Sequence, residues 1–156
     1  TKAAWYSALT SAHTPTCLVL SRQNLPVLAQ TSRDALRGGY ILKKESGEAI
    51  DMIFMATGSE VSVALEAAGM LEQDGISVRV VSMPCMDLFA EQDEAYQEEI
   101  LPKSVARRVA IEAGMDGCYV TMDVFGASAP AGQLFEKYGF TADAVVNCVR
   151  KKFPQI

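Results

Sequence analysis

The sequence predicts an α/β protein, with three α/β/α layers around a mostly parallel, mixed sheet of about five strands. Three observations carry this expectation. Apolar runs of strand length (GYILK, AIDMIFMATG, ISVRVVSM and RRVAIEAG) recur along the chain. The segments between them place apolar residues at helical spacing, and the changes of period fall at glycine, proline or a hydroxyl residue. Strands that alternate with helices pair in parallel and need cover on both faces.

The elements follow in order. Residues 2–11 (KAAWYSALTS) set Trp5, Ala8 and Leu9 at helical spacing. Thr14-Pro15 closes that helix, because a residue before proline avoids the helical region. TCLVLS, residues 16–21, is short and continuously apolar, which predicts a buried parallel strand. The polar run 30–39, ending in Gly38-Gly39, predicts a linker. GYILK and AIDMIFMATG predict two strands, the second ending at Gly58-Ser59. Val61, Ala64, Leu65, Ala68 and Leu71 then form a helical stripe, with Ser59 expected to cap it by accepting from a backbone N–H and Gly75 to stop it. ISVRVVSM predicts a third strand, and an acidic helix over 87–101 opens at Asp87. RRVAIEAG (107–114) and YVTMDVFG (119–126) predict two more strands. A helix starts at Ser128 or Ala129 with Pro130 and ends at Gly139. The last helix takes Thr141 as its cap and lines up Ala142, Val145, Val146, Val149 and Phe153.

Composition narrows the function classes. With 156 residues, 49% of them hydrophobic and 21% charged, the chain reads as one ordinary globular unit. Such a length buries roughly 70% of the unfolded surface without disulfide or metal. The net charge is −5 and the cations are scattered apart from Arg150-Lys151-Lys152, so nucleic acid is not an expected partner. That triplet suits the exposed carbonyls at the end of the last helix. No apolar run approaches the roughly 20 residues of a membrane span, so no membrane partner is expected. The start also lacks a signal-peptide pattern. Cys17, Cys85, Cys118 and Cys148 are far apart and form no C-x-x-C pair. Four buried thiols in a reducing cytosol are expected rather than a zinc site, which implies a cytoplasmic location. The chain opens at Thr1 and reads as a piece of a longer protein.

Few residues invite chemistry. The turn ATGSEV, residues 56–61, is an anion-binding geometry in principle, but the Glu60 carboxylate already occupies the field of the helix start. A structural turn is favoured. Its glycine spacing fits neither the dinucleotide nor the phosphate-loop fingerprint. His13 is the only histidine and reads as a solvated residue at a helix end. The carboxylates Asp87, Glu91, Asp93, Glu94, Glu98 and Glu99 spread around a helix rather than converge. Asp116-Gly117 with Asn147 is only superficially a metal-binding pair. Arg22 directly follows the strand TCLVLS, at the end where open parallel sheets place their ligand crevices. Its paired donors match phosphate oxygens. A surface arginine paired with Asp34 or a carbonyl is the competing reading.

SRQNLPVL, residues 21–28, closely resembles the end of the pyrimidine-binding domain of transketolases. The resemblance continues through GGYIL (38–42), FMATGSEVSVALEAA (54–68), VRVVSMPCMDLFAEQD (78–93), Tyr96, VAIEAG (109–114) and FGASAPAGQLFEKYGF (125–140). SRQNLP, VVSMP, QD-x-x-Y and FG-x-SAP are specific to transketolase-like proteins. Between EAG and FGASAP the family's longer stretch is reduced to MDGCYVTMDV, either by a shortened loop or by residues left out of the chain.

The resemblance implies that 1–37 are the tail of the pyrimidine-binding domain with its linker, and 38–156 the C-terminal domain. It implies a homodimeric parent that moves a two-carbon ketol unit between sugar phosphates with thiamine diphosphate and a divalent cation, Mg or Ca. Arg22 matches the arginine that binds the substrate phosphate. No catalytic, cofactor or metal residue carries over, so the fragment alone, without the rest of the chain, is expected to bind no cofactor and to be inactive. The alternatives are a non-catalytic interaction or regulatory domain, or the C-terminal domain of a deoxyxylulose phosphate synthase or 2-oxoacid dehydrogenase component.

Overall fold

The computed structural model describes residues 1–112, 119–120 and 130–155. Among the described residues, five strands form one sheet in the order β1-β3-β2-β4-β5. They are β1 (Tyr40–Lys43), β2 (Met52–Ala56), β3 (Val78–Ser82), β4 (Arg108–Ile111) and β5 (Tyr119–Val120). Only the β1–β3 pair is antiparallel, and its register slips between Ile41 and Lys43. The β2–β3, β2–β4 and β4–β5 pairs are parallel.

Alternation along each strand sorts the core into two layers. Met52, Phe54 and Ala56 of β2, Val78 and Val80 of β3, and Val109 and Ile111 of β4 face one side. There they meet α2 (Glu60–Gln73) and α6 (Ala142–Lys152). Ile53 and Val81 face the other side, with Tyr96 and Ile100 of α4 (Glu94–Ile100) and Phe89 of α3 (Met86–Ala90). Two-sided burial explains why β2 reads as an unbroken apolar run and why β3 is apolar apart from the buried Arg79 and Ser82. The expected helix ends hold at α5 (Ala131–Tyr138), which stops at left-handed Gly139, and at α6, where the Thr141 hydroxyl accepts from Ala144 N.

Several expectations are corrected. TCLVLS is not a strand: no residue of 16–21 pairs, and Val19 is 91% exposed. A strand needs a neighbour for its ladder bonds, and no described strand lies beside it. The acidic helix 87–101 is two helices, because Asp93 is extended and its side chain accepts from Tyr96 N, starting α4 afresh. Ser59 does not cap α2 through its side chain; its hydroxyl donates to the Glu60 carboxylate at 3.1 Å. Nor are the thiols buried: Cys17 is exposed and Cys85 and Cys148 are half-buried, while Cys118 lies outside the described residues. Within the run read as a linker, residues Arg33–Arg37 make a 3-10 turn capped by Ser32, and Gly38 to Tyr40 are buried.

The basic end of α6 has a further partner, since Arg150 pairs with Asp74 at 2.5 Å. Residues 113–118 and 121–129, including Asp116-Gly117 and most of the YVTMDVFG run, lie outside the described residues. Helix α1 (Lys2–Thr10) forms as expected but buries no residue.

Candidate functional site

The parallel strands β2 and β4 end side by side, at Ala56 and Ile111. The chain leaves β2 through Thr57-Gly58-Ser59, then returns to β3 on one flank before crossing to β4 on the other. That reversal is where open α/β sheets hold ligands. Gly58 takes a positive φ of 57°, which turns the chain sharply into α2. A Cβ placed on it would stand 3.7 Å from Glu60 Oε2 and 3.8 Å from Ser21 Oγ. The SRQ segment therefore sits directly against this turn. Sequence reasoning placed Arg22 at the end of its own strand; the structure brings its neighbour Ser21 to the end of β2 instead.

Arg22 is exposed. Among the ion pairs of the described residues Arg22 does not pair with Asp34, whose carboxylate accepts from Ser32 Oγ at 2.9 Å. His13 is exposed beyond α1, and Asn147 is exposed on α6.

Glu60 stands at the start of α2 as the sequence placed it, but its burial was not foreseen. It is 7% exposed although it carries a carboxyl group. Burial pushes its pKa up; its own backbone N–H and the Ser59 hydroxyl partly oppose this, and the nearby Glu112 charge raises it further. Two neighbouring carboxyl groups, of Glu60 and Glu112, make this edge unfavourable for an anion. The folded protein thus holds a proton on Glu60 more tightly than the unfolded chain does. Stability that is fully present below the ordinary glutamate range, about 4.3, is lost as pH rises through the raised value. Glu60→Gln is accordingly expected to raise the thermal midpoint at pH 7 and to leave it unchanged at pH 4, measured by calorimetry. A difference that does not vary with pH would show that Glu60 carries no linked proton.

Two other clusters have structural reasons. Arg79, on β3, donates twice to Glu45, at 2.8 and 2.7 Å, and once to the Glu99 carbonyl at 2.7 Å. The hydrogen bond from Arg79 is the chief cause holding the Glu45 carboxyl below its usual range. The second cluster joins the 3-10 turn to α4. The Arg37 guanidinium lies 3.2 Å above the Tyr96 ring centre and donates to Gln92 Oε1 at 3.1 Å. The string QD-x-x-Y contains these partners, and its signal was an amide, a carboxylate and an aromatic ring around one helix start.

Among the described residues no three His, Cys, Asp or Glu side chains come together as a metal site would require. No described helix is long and apolar enough to cross a membrane.

Fold and edge together define an α/β domain whose carboxyl strand ends receive a segment from outside its own sheet. The family model of the transketolase-like TK C-terminal domain matches residues 38–141. A probable transketolase of Streptococcus pneumoniae is 48% identical, over 96% of this chain and 24% of its own length. Transketolase from Leishmania mexicana superposes with a TM-score of 0.87 at 41% identity, over 98% of this chain and 24% of that one. Transketolase of Pichia stipitis in complex with sedoheptulose-7-phosphate gives 0.85 at 38%, over 96% and 23%. The chain belongs to the transketolase family, as a C-terminal portion, and spans about a quarter of the length of the curated relatives it matches.

Proposed function

We propose that this chain is the carboxy-terminal part of an enzyme that moves a two-carbon ketol unit from a ketose phosphate to an aldose phosphate, and that Arg22 holds the phosphate end of the sugar. The observation that carries the reading is the seat of the SRQ segment. Ser21 lies against Gly58 at the carboxyl edge of the sheet, and the neighbouring Arg22 is exposed. The Glu60 and Glu112 carboxyl groups disfavour an anion on their side of the turn, which leaves the Arg22 side for a phosphate. Support for a sugar phosphate comes from the sedoheptulose-7-phosphate complex of the Pichia stipitis relative.

Thiamine diphosphate with a divalent cation, Mg or Ca, supplies the carbanion chemistry of such a transfer, and residues outside this chain hold both. What this chain adds is charge and position. A guanidinium fork fixes two phosphate oxygens at once, and binding energy gained on the tail orients the reacting end. The isolated chain is then a folded domain without ketol transfer.

Residues 1–37 are read as the tail of the preceding domain and its linker, and residues 38–156 as the C-terminal domain. Trp5, Tyr6, Leu9, Val19, Leu20, Leu25 and Val27 are all exposed within the first 27 residues. Outside this stretch the only large hydrophobic exposed among the described residues is Met86. Such a patch marks an interface, here with the rest of the chain and with the second subunit of a homodimer in the cytoplasm.

In the complete enzyme, Arg22→Ala is expected to lower kcat/KM for a phosphorylated acceptor by about 2 kcal/mol, roughly thirtyfold. Use of a short unphosphorylated aldehyde should change less than about twofold, because it makes no such contact. Equal losses on both substrates would remove Arg22 from the site.

A further inference from the structure

We propose that Arg37, Gln92, Asp93 and Tyr96 form a latch that fixes the connecting segment, and through it the Ser21–Arg22 turn, as positioning residues for the phosphate end of the substrate. The inference rests on the reading of Arg22 given above and extends it to residues beside the carboxyl end of β3, where Tyr40 pairs with Ser82.

Arg37 ends the 3-10 turn and meets three groups of the α3–α4 junction. Its guanidinium stacks 3.2 Å above the Tyr96 ring centre, its Nε donates to Gln92 Oε1 at 3.1 Å, and Nη2 stands 3.7 Å from Asp93 Oδ2. The receiving side is ordered in advance. Gln92 Nε2 donates to the Leu88 carbonyl at 2.8 Å, Asp93 Oδ1 accepts from Tyr96 N at 2.9 Å, and Gln97 Nε2 donates to the Gln92 carbonyl at 2.8 Å.

The connecting segment is held on its own side as well. Tyr96 Oη donates to the Gly39 carbonyl at 2.8 Å, and Cys85 N donates to the Gly38 carbonyl at 3.0 Å. A surface arginine needs none of this; a single ion pair of this exposure contributes little. Stack, fork and backbone clasp converge on one short stretch of chain.

The stretch is the crossroads of the molecule. The 3-10 turn that Arg37 closes packs against α1, β1 and α3, while Leu28 and Ala35 pack on the main core. The segment that carries Arg22 is thus suspended between Gly58 at one end and the latch at the other. Opening the latch lets the 3-10 turn shift on β1, and a displacement of about 1 Å at a binding group is enough to cost up to about a hundredfold in rate. Only arginine combines a planar stack with directed donors, so lysine keeps the charge and loses the register.

The test uses the complete enzyme with Arg37→Ala, Arg37→Lys and, as reference, Arg22→Ala. Arg37→Ala is expected to raise KM for a phosphorylated acceptor about fivefold, with kcat on an unphosphorylated aldehyde within about twofold. Arg37→Lys should raise the same KM about threefold, since charge alone does not restore the stack. Amide exchange over 35–39 should speed up at least about tenfold, with β2 and β3 unchanged. If Arg37→Ala fails to assemble, Gln92→Ala removes one acceptor, keeps the stack and is expected to shift the same KM in the same direction. A substrate split in Arg22→Ala that is absent from the Arg37 and Gln92 variants overturns the latch and leaves the Arg22 reading standing. No split in Arg22→Ala sinks that reading, and the positioning role with it, whatever the exchange rates show.

Discussion

Phe54→Ala is expected to destabilise the protein by about 3–5 kcal/mol, the largest loss that a single substitution in this core should produce. Phe54 is fully buried in β2, the strand flanked by β3 on one side and β4 on the other. Its ring enters the main core beneath α2 and α6, among Ala64, Leu71, Val80, Val145 and Val146. A central strand between two bonded neighbours cannot move to fill the space, so the lost transfer energy and the cavity add. For a chain of this length the midpoint should fall by roughly 12 °C, read by calorimetry or urea titration. Phe54→Leu keeps most of the volume and should cost below about 1.5 kcal/mol. A Phe54→Ala variant within about 1 kcal/mol of the parent would mean that β2 is not the centre of the core.

Gly38→Ala ranks second, at about 3–4 kcal/mol, from two causes that a control separates. Gly38 has a φ of 85°, and an added Cβ would stand 2.3 Å from Phe89 N and 2.4 Å from the Cys85 carbonyl. Both are backbone atoms, of α3 and of its N-cap, which cannot swing aside as a side-chain end would. Gly75 has nearly the same φ, 84°, with nothing within 4 Å of its added Cβ. Gly75→Ala therefore carries only the left-handed strain, about 1–2 kcal/mol, and the excess in Gly38→Ala measures the collision. Equal costs at the two glycines would show that the connecting segment does not press on α3. Because Arg37 precedes Gly38, the same variant also loads the latch.

Much of this fold was legible because its signals are local. MIFMA and VRVVS announce strands buried on both faces, and both are. The stripe of α2, the Thr141 cap and the Gly139 exit needed only spacing, one hydroxyl and one achiral residue. The misses share a cause. TCLVLS has strand composition, yet composition supplies no neighbour to bond with. At Gln92-Asp93 helical spacing continued through a point where an aspartate side chain competes for the next helix's N–H. Nor does Arg37 give any sign in sequence that a ring at position 96 lies beneath it.

For the candidate site the division is sharper. Motif likeness singled out Arg22 and nothing else, whereas Glu60, Gly58 and the residues around Arg37 acquire meaning through groups that are remote in the chain. By itself the sequence determined the α/β class, the order and ends of most elements and the family, since periodicity, capping and turn chemistry act over a few residues. Only the tertiary structure decided that Ser21 rests on Gly58, that a carboxyl group is buried at the sheet edge and that the connecting segment is clasped. Those facts depend on which surfaces meet, and the energy of such contacts is set by shape and desolvation between segments dozens of residues apart.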